Sequence, residues 1–152
     1  MFLKMLNDKC QDDFLKLAIQ LCMEDGNFGD EEQEMMYLYG DEIGKTGEEL
    51  TLYYEELKNL ENDGEKSSQR KSRIRSLVEN IKDNSEERGR KIILFELLGL
   101  AYADADFAEE EKEFIQNIKE VFGIEDAFVE KTSRLLESYM ELQEKITKHV
   151  LG

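Results

Sequence analysis

Two stretches of this chain carry the same residue pattern 79 positions apart, and that repeat limits the fold more than any other feature. The first reads CMEDGNFGDEEQE over Cys22–Glu34; the second reads AYADADFAEEEKE over Ala101–Glu113. Overlaying them puts Leu21 on Leu100, Asp25 on Asp104, Phe28 on Phe107, Glu31 on Glu110, Glu32 on Glu111, Glu34 on Glu113 and Gly44 on Gly123. These are seven identities over the 27 positions from Ala18 to Gly44, where such a composition gives roughly two by chance, so the chain reads as an internal duplication. In each copy an apolar run ends in acidic residues, one Phe follows, and a row of glutamates opens the next apolar run.

The apolar residues recur at helical spacing throughout. The chain has no proline, which removes the strongest helix breaker, and no run alternates with the period of a strand. A first helix runs from an Asn7 or Asp8 cap to about Met23, with Phe14, Leu17, Ala18, Leu21 and Cys22 on its buried face. A second covers about Asp30–Glu42, with Met35, Met36, Leu38, Tyr39 and Ile43 inward, and Gly44 ends it. A third covers about Gly47–Asn62, where Thr46 and Glu49 form a capping box.

The polar stretch Asn62–Ser68 separates the copies. A basic helix at about Ser68–Lys82 follows, then a Ser85-capped helix over about Glu86–Ala103. The latter is apolar almost all round and therefore central. A helix at about Glu109–Phe122 ends at Gly123. The last, from about Glu125, carries the stripe Phe128, Val129, Leu135, Leu136, Tyr139, Leu142 and Ile146, and is long enough to pack across both halves. The expected fold is an all-α bundle of about seven helices with two pseudo-symmetric halves. It forms one domain over 1–152, with repeat one at about 8–62 and repeat two at about 68–150.

Charge and cysteine usage narrow the function. The net charge of −16 repels nucleic acid and anionic lipid and suits cations or a basic partner protein. Nine of the 20 Lys and Arg fall between Lys66 and Lys91, either as a solvated face or as a surface that docks a partner. No apolar run reaches the roughly 18 residues of a membrane span, and the opening MFLKML is too short for a signal-peptide core. Cys10 and Cys22 on one helix stand about 18 Å apart, too far for a disulfide, and unbridged thiols fit a reducing, cytoplasmic setting. The one histidine, His149, supports no catalytic triad or metalloprotease motif, and there is no Gly-rich phosphate loop. A non-enzymatic protein is expected.

The duplicated turn admits two readings of the same atoms. An EF-hand is excluded: with Gly26 at the sixth loop position, Leu21 and Met23 fall where calcium ligands are required, as do Leu100 and Tyr102 in copy two. As caps, Gly29 and Ala108 precede the outgoing helices. Glu32 and Glu111 reach back to the cap amides, Phe28 and Phe107 act as staples, and Asp25 and Asp104 close the turns. As ligands, Asp25, Glu32, Asp104 and Glu111 converge on a cation, with Asn27 and Asp106 as further oxygen donors. Four carboxylates without imidazole favour a hard ion such as Ca²⁺, Mg²⁺ or Mn²⁺. A cap can also ligate.

These residues carry a family resemblance. An alanine-rich helix end, Asp-Gly or Asp-Ala, one residue, an apolar residue, then Glu seven after the Asp, duplicated in an all-helical chain, resembles the tellurite-resistance TerB family. The opening Phe2–Asn7 (FLKMLN) is similar to that of its shorter members, and the resemblance covers nearly the whole chain. It implies an all-α bundle with two similar halves, a bacterial or phage context and a metal-linked role in stress response. Its acidic positions match Asp25, Glu32, Asp104 and Glu111. Copy two departs from the pattern with Ala105 in place of Gly.

Overall fold

Asn7 opens the first helix: its side chain accepts a hydrogen bond from Cys10 N at 2.8 Å, supplying a partner that the first turn cannot find within the helix. From that point the computed structural model runs as helix after helix. It describes residues 1–24, 29–103 and 109–152. A 3₁₀ turn at Leu3–Met5 precedes α1 (Asp8–Met23), α2 (Asp30–Ile43), α3 (Gly47–Asn62), α4 (Ser67–Asp83), α5 (Glu87–Ala103), α6 (Glu109–Phe122) and α7 (Asp126–Leu151). Among the described residues there is no strand, and the expected all-α fold is observed.

The helix boundaries keep the spacing of the sequence repeat. α1 and α5 begin 79 positions apart, as do α2 and α6, which also end 79 apart, and α3 and α7. Gly44 and Gly123 hold the same place after α2 and α6, with φ of 78° and 69°. That left-handed backbone is one glycine adopts without steric cost. Thr46 accepts from Glu49 N while Glu49 accepts from Thr46 N at 2.8 Å, the expected capping box.

The core sits between α1 and α5. α1 packs against α2, α3, α4, α5 and α6; α5 packs against α1, α2, α6 and α7. Phe14, Leu15, Leu17 and Leu21 of α1 meet Ile93, Leu94, Leu97 and Leu100 of α5 in one cluster, all fully buried. Each such side chain contributes about 1.5–3 kcal/mol on leaving water. The apolar opening folds back over this core: Leu3 is fully buried and Phe2 meets Phe95 edge-on at 5.6 Å.

Three expectations are corrected. Leu38, expected inward, is exposed, while its neighbours Met36 and Tyr39 are buried. Ser85 serves the preceding helix: its hydroxyl donates to Ile81 O at 2.6 Å, and α5 begins at Glu87, with Glu86 O accepting its first helical bond from Arg90 N. The stripe of α7 does not pack across both halves. Its half-buried residues are Phe128, Val129, Ser133 and Leu136 around buried Thr132, and every residue from Glu137 to Gly152 is exposed.

Candidate functional site

Each copy places one glutamate where a carboxylate is rarely left. Glu32 in the first turn of α2 is 1% exposed, and Glu111 in the first turn of α6 is 0% exposed. Their neighbours Glu31 and Glu110, one residue earlier, face solvent. Helical geometry explains the split, because a step of one residue turns the side chain by about 100° around the axis. Glu32 Oε1 accepts from Gly29 N at 3.3 Å, so the expected bond back to the cap amide is present in copy one. Acidic first turns also face the positive end of the helix dipole in both copies. Asp25, Asn27, Asp104 and Asp106, the other proposed ligands, lie outside the described residues, as do the staple positions Phe28 and Phe107 and the cap position Ala108. Among the described residues no group of three or more His, Cys, Asp or Glu side chains is placed to hold a metal ion.

The C-terminal end of α1 is tied down by a polar network. Glu24 pairs with Arg70 of α4 and accepts from Gln20 Nε2 at 3.4 Å. Gln20 in turn accepts from Arg73 Nη2 at 3.3 Å. Arg73 holds Glu65 by two bonds, Nε to Oε2 at 2.9 Å and Nη2 to Oε1 at 3.0 Å. These bonds keep the Glu65 carboxyl below its usual range. Much of the basic zone is therefore engaged within the chain. Arg75 pairs with Glu79 and Lys91 with Glu87, and Arg90 Nη1 donates to Lys82 O and Ser85 O.

Two further buried carboxylates lie away from the motif. Glu96 accepts from Phe2 N at 2.8 Å, and its backbone carbonyl accepts from the buried Tyr39 hydroxyl at 2.9 Å. It lies among Ile92, Ile93, Leu94, Leu97 and Leu98, and a lone charge in such a run was the signal available in the sequence. Asp13 is nearly buried, and desolvation raises its pKa. Between α4 and α6 runs a groove of about 540 Å³ with an apolar floor of Ile74, Val78 and Ile118. Its rims are basic on α4, at Lys71 and Arg75, and acidic on α6, at Glu110 and Glu113.

Among the described residues this is an all-α protein in which a buried glutamate sits in the first turn of both α2 and α6. The family described as tellurite resistance protein TerB matches residues 17–134. That span includes both copies of the acidic sequence motif and all of α2 to α6 with parts of α1 and α7, and the chain belongs to the TerB family. No curated protein and no solved structure matches this chain.

Proposed function

We propose that this TerB-family chain is a non-enzymatic accessory protein of a bacterial stress response, acting in the cytoplasm and binding a divalent cation through its acidic turns. The observation that carries the reading is the matched burial of Glu32 and Glu111 beside exposed Glu31 and Glu110. Burying a carboxylate costs several kcal/mol unless hydrogen bonds or a cation compensate. A carboxylate serving only solubility stays in water, as Glu31 does. Carboxylate oxygens suit Ca²⁺, Mg²⁺ or Mn²⁺ better than softer ions. In this reading Glu32 and Glu111 hold the ion together with Asp25 and Asp104, and Asn27 and Asp106 complete the oxygen set. A bound ion would offset the repulsion of gathered carboxylates and brace the two turns.

The test is thermal melting with and without Ca²⁺, Mg²⁺, Mn²⁺ and Zn²⁺, supported by calorimetric titration. A cation at 100 times its Kd adds about 2.7 kcal/mol to stability, which several degrees of Tm would report. Asp25→Asn keeps a capping side chain but removes a charged ligand, so its Tm should barely change without cation and its cation-dependent rise should shrink. Equal rises in both proteins, or none in either, would end the metal reading for Asp25.

A second reading, a metal-free helical module that docks a partner protein, is favoured by the groove between α4 and α6, whose apolar floor and opposed rims could seat an amphipathic segment. It predicts no response to any cation.

A further inference from the structure

The groove between α4 and α6 carries opposite charges on its two sides, and among the described residues no ion pair crosses it. On α4 the rim residues Lys71 and Arg75 stand about one turn apart. On α6 Glu110, Glu113, Asn117 and Glu120 follow at spacings of three, four and three, so that row also runs along one side of its helix. All six side chains are exposed. Arg75 pairs with Glu79 on its own helix, while Lys71, Glu110 and Glu113 take part in no ion pair among the described residues. Between the two rows Ile74 and Val121 are only half-buried, so the apolar floor they share with Val78, Phe114 and Ile118 still meets solvent. By helix rise the α4 wall is about 12 Å long and the α6 wall about 16 Å.

Both walls are helices, and their backbone groups bond within those helices, so no strand can add to them. An occupant must satisfy its own backbone and lay apolar side chains on the floor. An amphipathic helix of about two to three turns does both. Its charges are set by the rims: the edge over α4 must be acidic and the edge over α6 basic. Chemistry of a single sign fails on one side. Nucleic acid and an anionic membrane meet the glutamate row, and a wholly basic segment meets Lys71 and Arg75. A second copy of the chain does not offer the pattern. Two grooves set face to face leave both floors uncovered, and on α7 Glu137, Glu141 and Glu144 point away from the exposed apolar side rather than along its edge. We infer that the groove between α4 and α6 docks a short amphipathic helix of a partner protein, with acidic residues along one edge of its apolar face and basic residues along the other. The inference rests on the docking reading and is independent of the metal reading.

A contact of this size belongs with weak, transient associations, so Kd should be on the order of 10–100 µM. The test is fluorescence anisotropy of the whole chain with three labelled synthetic peptides at about 0.15 M salt. Each peptide has about four helical turns with leucines along one face. The edges of that face are glutamate and lysine in the first, lysine on both sides in the second and glutamate on both sides in the third. The mixed-edge peptide should bind at least about tenfold more tightly than either of the others. Lys71→Glu combined with Arg75→Glu, at two exposed positions, makes both rims acidic. This variant should keep the wild-type Tm, lose about tenfold in affinity for the mixed-edge peptide and prefer the all-lysine one. No preference for the mixed-edge peptide in wild type, or a preference that the double reversal leaves unchanged, would overturn the inference while the docking reading stands. Binding of none of the peptides would overturn both. Self-association of the chain alone that the double reversal abolishes would also overturn the inference, giving the groove to a second copy.

Discussion

Arg73 grips Glu65 with two parallel hydrogen bonds, 2.9 and 3.0 Å long, across the link between α3 and α4. The pair joins the break between the repeats to the network that anchors the end of α1. A forked contact of this kind requires the planar guanidinium, so Arg73→Lys should not restore what Arg73→Ala loses.

This pair gives a pH dependence with a definite sign. The folded protein holds the Glu65 carboxyl below its ordinary range, whereas the unfolded chain titrates it near about 4.3. Its contribution to stability is therefore complete above the unfolded value and disappears as pH falls through the lowered folded value. Melting temperatures of wild type and Glu65→Gln should differ near neutral pH and converge on acidification. A gap that stays constant from neutral pH to about pH 3 would contradict the assignment.

Tyr39 behaves in the opposite sense. Burial pushes its phenol well above the usual range, with the carboxylate of Glu96 adding to the effect. Among the six tyrosines it should ionise last in an ultraviolet titration. The folded state keeps the proton that the unfolded chain releases near about pH 10, so its contribution is whole below that value and is lost as pH rises further. Tyr39→Phe should abolish the late phase. It should also cost roughly 1 kcal/mol at neutral pH, because the Glu96 carbonyl loses its donor.

Leu100 and Leu38 form a contrast within the apolar residues. Leu100 is fully buried in α5, and Leu38 on α2 is 60% exposed. Leu100→Ala should cost about 2–5 kcal/mol and Leu38→Ala less than about 0.5 kcal/mol, read by urea unfolding. A loss below about 1 kcal/mol at Leu100 would mean that α5 is not the centre of the core.

Gly44 and Gly123 test the repeat directly. A methyl group at either site would meet nothing within 4 Å, so substitution by Ala exposes the backbone cost alone, about 1–2 kcal/mol. The two variants should lose similar amounts. Very unequal losses would show that the two turns are not equivalent.

What could be read from the sequence was whatever local chemistry decides. The Thr46–Glu49 box, the glycines after α2 and α6 and the buried centre of α5 each depend on a few neighbouring residues or on one unbroken apolar run. Leu38 and Ser85 depart from expectation for a different reason: periodicity gives a stripe but not its width, and a hydroxyl between two helices can serve either. The end of α7 shows the same limit on a larger scale, since an apolar stripe announces that it will be covered without saying by what. For the site, the pairing of Glu32 with Glu111 followed from the repeat. Their burial, and the exposure of Glu31 and Glu110, depend on how the helices are set against one another, which no spacing rule contains.

The placement of the core between α1 and α5 also sets the order of events during synthesis. One of the helices that cover α1, α5, begins 79 residues downstream, and at 5–20 residues per second it follows roughly 4–16 s later. Closing a loop of that length costs on the order of 4 kcal/mol in chain entropy before any contact forms. Until then α1 has only α2, α3 and α4 to pack against, and the part of its Phe14, Leu17 and Leu21 stripe that α5 covers stays open. The acidic residues that surround these positions keep such half-made chains apart until α5 arrives.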